Sequence, residues 1–288
     1  MGTSSSFRGA GSSTPLLPTW ADPPVGIPQP SLTLPQPGSQ VLLSDVAGPA
    51  LPKRPDIVPD LQGPRFRAPR VNFTHYVASS GTDRRSLGRA LSGHIRSVSG
   101  GTRTATRRMY PSRRAASNLL GVLHDIRDNG IEKTLQSLNL GRLTGRPPKE
   151  ILVALTDVVC ASGGPIGEAI AREAYIETIA EMMEESVDLD HLADTQIAAI
   201  VISFISRSIA TRVIEDIGQK LDVTAVSPEQ ADMLSEDLYD FIRGAVKDEL
   251  SQELEQTRSI EKADLSESIG KIYQVAFGLI EAEANVII

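Results

Sequence analysis

The chain has 288 residues and a formal net charge of −7, and its length suits one large domain or two ordinary ones. The net charge hides two opposed halves, because residues 1–150 carry 20 Lys and Arg against 9 Asp and Glu, whereas residues 151–288 carry 9 against 27. One cysteine excludes an internal disulfide framework, and we see neither a secretory signal nor an apolar run of membrane length, so we expect a cytoplasmic protein without a membrane partner.

Residues 1–80 are predicted to be a disordered tail rich in Pro, Gly and Ser. Of the 19 prolines, 14 lie in residues 1–70, and that segment has almost no helical or strand periodicity. It therefore cannot bury enough apolar surface to offset the entropy lost on ordering. Trp20, the one tryptophan, is predicted either to anchor this tail on a partner or to fold back onto the chain's own helical part.

Residues 81–288 are predicted to form one all-helical domain that is basic over 81–150 and acidic over 151–288. Apolar residues recur there every three or four positions without convincing strand alternation, and Asp83 and Ser227 are N-cap signals. The predicted fold class is an all-α bundle of six to eight helices behind a disordered N-terminal tail. The segment SGGTRTATRRMYPS is predicted to be a loop. Predicted helices cover 84–99, 113–128, 131–139, 148–161, 166–187, 191–221, 228–256 and 262–286.

An arginine-rich segment is the strongest candidate binding site in the sequence. Residues 65–114 hold 12 Arg, no Lys and one acidic residue. Guanidinium groups suit bidentate contacts with phosphate or carboxylate, so the segment fits either nucleic acid or an acidic protein surface. We favour the protein surface, because residues 151–288 of the same chain carry a formal charge of −18. The candidate residues are Arg103, Arg107, Arg108, Arg113 and Arg114, with Tyr110 placed to stack on a base.

No catalytic, metal or cofactor site is predicted. The four histidines are scattered without a second His or Cys at metal-ligand spacing, and Cys160 lies in an apolar stretch typical of a core residue. The chain has no Gly-rich phosphate loop followed by Lys-Ser or Lys-Thr, and no nucleophile elbow. A cryptic enzyme that uses surface carboxylates is therefore the remotest of three functions that we consider.

The start of the chain, Met-Gly-Thr-Ser-Ser-Ser, has a small second residue, so removal of Met1 should expose Gly2. A flexible Gly/Ser start ahead of a Pro-rich segment is what a terminus delivered into another protein's active site would need. On the residues alone, the simpler interpretation is an ordinary disordered start.

The chain resembles the QatB family of the bacterial Qat anti-phage system. Four stretches carry the resemblance: MGTSSS at the start, PLLPTWADPP at 15–24, RRSLGRALSGHIRSVSGGTRTATRRM at 84–109 and RRAASNLLGVL at 113–123. The resemblance is clearest over about residues 1–125, whereas the acidic half is similar only in its helical character. These are family sequence features and not catalytic motifs.

The resemblance implies a non-enzymatic subunit that works beside three other components. They are QatA, an ATPase, QatC, which is similar to the QueC enzymes of deazaguanine synthesis, and QatD, which is similar to TatD-type nucleases. QueC-like enzymes in defence systems are associated with attaching a deazapurine to a protein N-terminus, so the resemblance implies that QatC modifies Gly2 and that Thr3, Ser4 and Trp20 contact it. The alternative is a nucleic-acid-binding adaptor that presents DNA to the ATPase or nuclease through the arginine-rich segment.

Overall fold

The fold is taken from a computed structural model that describes residues 63–160, 166–185, 187–218, 227–257 and 264–288. All of these residues belong to one compact unit, Val58–Ile288. These ranges contain no β-strand, so the all-α prediction is confirmed. Most of the predicted tail, residues 1–62, lies outside the described residues, and its disorder stays a prediction.

Helices account for nearly all of the described chain. Their bounds are α1 Pro64–Ala78, α2 Arg84–Gly93, α3 Thr102–Arg108, α4 Tyr110–Asn129, α5 Ile131–Ser137, α6 Pro148–Ala154, α7 Thr156–Val159, α8 Ile166–Glu184, α9 Asp194–Val213, α10 Pro228–Gln256 and α11 Leu265–Val286. Seven of these have ten or more residues, in agreement with the predicted six to eight helices, and the other four are short. Two π-helical segments, His94–Val98 and Ile214–Gly218, directly follow α2 and α9.

Two helix starts have the caps that the sequence indicated. The Asp83 carboxylate accepts a hydrogen bond from the backbone N–H of Ser86 at the start of α2. At the start of α10, the side chains of Ser227 and Gln230 form a capping box, with Pro228 in the first turn. Each cap satisfies N–H groups that have no partner within the helix, which fixes where these helices begin.

Helix α9 lies at the centre of the bundle. Every residue from 200 to 210 is buried, because α4, α8 and α10 pack around this helix. Helix α11 packs against α2, α3, α4 and α10, and it buries Tyr273 and Phe277 completely. The Tyr273 hydroxyl lies 2.8 Å from the hydroxyl of Ser208 on α9, so the polar end of this buried ring is satisfied.

Helix α1 was not predicted, since residues 64–78 were assigned to the tail, and the ordered chain therefore begins earlier than residue 81. Pro64 occupies the first turn, where a missing N–H costs nothing, and Pro69 lies inside the helix. Phe66, Phe73 and Tyr76 are buried against α2 and the π-helical segment after α9. Their spacing of three to seven residues is a helical pattern that the high proline content concealed.

Two further details differ from the sequence-based expectation. The segment predicted as a loop contains α3, whose Ala105 and Thr106 are buried. On α8 the apolar residues divide between two faces, because Ile170 and Ile179 are buried, whereas Ile166 and Met183 are exposed. An exposed apolar edge on a packed helix is a candidate contact surface.

Candidate functional site

The two π-helical segments bring a histidine and an aspartate together inside the bundle. His94 is the first residue of one segment and Asp216 is the third residue of the other. The His94 Nε2 atom lies 3.0 Å from Asp216 Oδ2, and the two side chains are 1% and 5% exposed. Because neither group reaches solvent, this pair can hold helices together but cannot meet a substrate.

Two arginines complete the network around Asp216. Arg212, one turn earlier on the same helix, donates from Nε at 3.2 Å, and Arg108 at the end of α3 approaches to 3.3 Å. Burial acts to raise the pKa of Asp216, but the contacts with His94, Arg212 and Arg108 outweigh it, so the pKa lies below the ordinary value. The Asp216 carboxylate therefore stays ionised. It holds together the π-helical segment after α2, the end of α3 and the end of α9.

The predicted arginine candidates do not form one surface. Arg108 turns inward to Asp216, and Arg113 passes over Gly270 on α11, where an added Cβ would lie 2.6 Å from its Nη2. The other three, Arg103, Arg107 and Arg114, are exposed. Two of the five candidates thus have internal structural contacts, and three remain available for a partner.

The exposed candidates lie on two consecutive helices, before and after Tyr110 in the sequence. Arg103 and Arg107 are one turn apart on α3, and Tyr110 and Arg114 are one turn apart on α4, so each pair shares a helix face. Tyr110 is 62% exposed. Among the described residues, these three arginines have no acidic partner. We call Arg103, Arg107, Tyr110 and Arg114 the arginine surface.

An acidic groove lies between α8 and α10, with Arg207 of α9 at its base. It has a volume of about 500 Å³ and contains six carboxylates and two guanidiniums, a formal charge of −4. The Arg207 guanidinium stacks 3.9 Å from the centre of the Tyr239 ring. The charged residues that line it are Glu177, Glu181, Glu184, Glu185, Glu236, Asp240, Arg207 and Arg243.

Glu181 is the structural centre of this groove. Its carboxylate accepts hydrogen bonds from Ser203 at 2.5 Å and Tyr239 at 3.0 Å, and it pairs with Arg243 at 2.5 Å. Burial acts to raise its pKa, but the bonds from Ser203 and Tyr239 and the charges of Arg243 and Arg207 bring the pKa below the ordinary value. Glu181 is thus occupied internally, whereas Glu184 and Asp240 at the rim are exposed and have no ion-pair partner among the described residues.

The one cysteine of the chain, Cys160, is buried. Burial raises the pKa of the Cys160 thiol to about 11, which keeps it protonated and unreactive. No cluster of three or more His, Cys, Asp or Glu suited to a metal occurs in the described chain. By length and composition the helix Asp194–Gly218 could cross a membrane, yet 78% of its apolar window is buried by the surrounding helices.

The residues predicted to be modified or to bind a partner, namely Gly2, Thr3, Ser4 and Trp20, lie outside the described residues. The sequence analysis also missed the His94–Asp216 pair and the acidic groove. One signal was present, because Arg207, Arg212 and Asp216 follow the long apolar run Ile197–Ile205 on a helix that reads as buried, and buried charged residues require partners inside the fold.

The fold and these surfaces define an all-helical protein whose exposed charged patches suit macromolecular partners. A family described as "Qat anti-phage system associated protein QatB" matches residues 100–280. The match covers more than half of the chain, so the chain belongs to the QatB family and has a role in the Qat anti-phage defence system. No curated protein and no solved structure gives a significant match.

Proposed function

We propose that this chain is a non-enzymatic cytoplasmic subunit of the Qat defence complex, and that its N-terminal tail binds the QueC-like component, QatC. The amine of Gly2, exposed by removal of Met1, is the group that this partner modifies with a deazapurine. QatA and QatD are further partners of the assembled complex. Membership of the QatB family is the observation that carries the proposal.

The chemistry of the terminus supports this assignment. An α-amine has a pKa of about 7.7–8.0, so a useful fraction is neutral and nucleophilic near neutral pH, unlike a lysine amine at about 10.4. Glycine adds no side chain that would obstruct a narrow active site, and the Thr3 and Ser4 side chains that follow are small. Trp20 and the surrounding prolines would hold the tail on the partner with little loss of conformational entropy.

Intact mass spectrometry after co-expression with the QueC-like partner tests the proposal. We expect a mass increase on the wild-type protein and none on Gly2→Pro, whose ring crowds the reacting amine. Gly11→Pro is the matched control, since it makes the same change in the same Gly/Ser stretch and should leave the modification intact. An unmodified wild-type protein, together with full phage protection by Gly2→Pro, would show that the terminus is an ordinary start.

The second candidate function is a nucleic-acid adaptor, and the exposed arginine surface is the observation that favours it. Arg103, Arg107 and Arg114 could contact phosphates while Tyr110 stacks on a base. In that case the logarithm of the affinity for duplex DNA should fall linearly with the logarithm of the salt concentration. The slope should be about −0.9 for each phosphate that the protein neutralises. A salt-independent or negligible affinity would remove this candidate.

A further inference from the structure

Exposed apolar side chains form a row along the solvent side of α8. Ile176, Ala180 and Met183 are spaced by four and three residues, so they share one face of the helix, and all three are exposed. Ile176 is 54% exposed and Met183 is 37% exposed. Ala180 also lines the acidic groove, so the two features overlap along α8. We call these three residues the apolar row.

The walls of the acidic groove are two helices that run in the same direction. Arg207 at the base pairs with Glu177 of α8 and with Glu236 of α10, each at 3.3 Å. Later in both helices, Arg243 of α10 pairs with Glu181 of α8 at 2.5 Å. The groove therefore follows the helix axes, and a ligand that lies along it would contact α8 and α10 over more than one turn.

A second hollow prolongs this groove and adds to its negative charge. It has a volume of about 140 Å³ and shares Glu177, Arg207, Glu236 and Tyr239 with the groove. The lining of the two together holds eight carboxylates and two guanidiniums, a formal charge of −6. The two carboxylates that the second hollow adds belong to Glu173 and Glu215.

Like charges are crowded in this lining. Burial and the charges of Glu177 and Glu215 raise the pKa of the Glu173 carboxyl above its ordinary value. At the rim, Glu184 and Asp240 are exposed and have no ion-pair partner among the described residues. The two arginines thus leave net negative charge on this surface, and a cationic ligand would lower the repulsion.

We propose that the apolar row and the acidic groove together bind a basic amphipathic helix of another protein. Apolar side chains spaced by three and four residues on that helix pack on the apolar row, and its Lys and Arg side chains reach the carboxylates of the groove. From Glu173 to Glu184, α8 is about 16 Å long, which corresponds to three helical turns. A ligand helix of about that length contacts both features at once.

Three other occupants fit this surface less well. The phosphates of a nucleic acid would be repelled by the carboxylates. A small cation would neutralise charge but would leave the apolar row in contact with water. A second copy that met this face with its own α8 would bring like charges together. Docking of a basic helix does not require the modification of Gly2, so either proposal can fail without the other.

Fluorescence anisotropy with the full-length protein and a designed peptide tests the docking site. The probe is a fluorescein-labelled peptide of about 18 residues made of Leu and Lys, with the Leu residues spaced by three and four positions. Its control has the same composition in an order without helical spacing. We expect one amphipathic peptide to bind per chain, and the control to bind at least about tenfold more weakly, because it cannot present an apolar face.

A charge variant tests the groove. Glu184→Lys/Asp240→Lys should weaken binding of the amphipathic peptide by about tenfold or more, because like charges then face the peptide. Asp248→Lys/Glu249→Lys is the matched control, since it makes the same charge change at exposed positions of α10 outside the groove. It should change the affinity by no more than about twofold at physiological salt, where distant charges are screened.

An apolar variant tests the row. Ile176→Ser/Met183→Ser should also weaken binding by about tenfold or more, because it removes the apolar contact and keeps every charge. Val71→Ser/Met233→Ser is the matched control, since it removes one branched and one Met side chain that are exposed on α1 and α10. Circular dichroism should show all four variants to be folded.

Three results would overturn the proposal. The first is an amphipathic peptide that does not bind, or binds no better than the control peptide. The second is a loss of affinity in the groove and row variants that is no larger than in their folded controls. The third is a wild type that sediments at about twice its mass of 30.9 kDa and becomes monomeric in Ile176→Ser/Met183→Ser, which would assign the apolar row to a second copy.

Discussion

Replacing Asp216 with Asn removes one buried charge and keeps the size of the side chain. Three side chains then lose the anion that they share. They are His94, Arg212 and Arg108, which lie 3.0, 3.2 and 3.3 Å from Asp216 Oδ2. Breaking a buried ion pair by removing one partner costs about 3–5 kcal/mol. The Arg108 and Arg212 side chains are 24% and 15% exposed, so water recovers part of the loss. We expect the variant to lose about 2–3 kcal/mol of unfolding free energy at neutral pH.

Urea unfolding followed by circular dichroism measures this loss, and its pH dependence checks the cause. The pKa of Asp216 is depressed in the folded protein, so its stabilisation is complete above the unfolded-state value of about 3.9 and is lost as pH falls through the lower folded value. The difference between wild type and Asp216→Asn should therefore be full at pH 7 and shrink below about pH 4.

A matched control separates this buried network from surface charge. Asp157 pairs with Arg172 at 2.5 Å, but the two side chains are 74% and 37% exposed. Asp157→Asn should change the unfolding free energy by no more than about 0.5 kcal/mol. If Asp216→Asn cost no more than this control, the network would contribute no net stability and our reasoning about the two π-helical segments would be refuted.

Three further outcomes can be measured with the same protein. Gly88→Ala should lower the free energy of unfolding by about 1–3 kcal/mol in urea, because its Cβ would lie 2.6 Å from the Ala284 carbonyl oxygen. Gly244→Ala should raise it by about 0.5–1 kcal/mol, because nothing outside its own helix would lie within 4 Å of the added Cβ. Cys160 should react with a thiol reagent only after unfolding, as labelling with and without urea will show. Phe66→Ala should lose about 3–5 kcal/mol and move proteolytic cleavage into α1, and an unchanged cleavage pattern would argue against a packed α1.

The periodic core helices could be predicted from the sequence because each needs only local information. Leu87, Leu91 and Ile95 are spaced by four residues and are buried, and Asp83 caps their helix as expected. Helix α1 is hard to predict because Pro64 and Pro69 and the proline-rich residues before them conceal the helical spacing of its aromatic residues. Its order depends on packing against α2, the next helix, and against the π-helical segment Ile214–Gly218, which lies far along the chain.

The candidate site was harder to predict than the fold. His94 and Asp216 are 122 residues apart, and no local pattern brings them together. Which arginines point inward also depends on residues far along the chain. Arg108 pairs with Asp216, and Arg113 occupies space that a side chain at position 270 would fill. Charge asymmetry in the sequence indicated that basic and acidic groups would meet, but it did not say which ones.

The two π-helical segments make this region sensitive to the number of residues as well as to their identity. A π turn holds about one residue more than an α turn, so deleting one residue there would restore regular α-helix. The helix on either side would keep nearly its present rotation, because the extra residue is absorbed within the π turn, but the turn that carries His94 or Asp216 would be rebuilt. The two side chains would then be displaced from each other without any change in their chemistry. Length variation at these two points should therefore act on this buried pair and leave the rest of each helix in register.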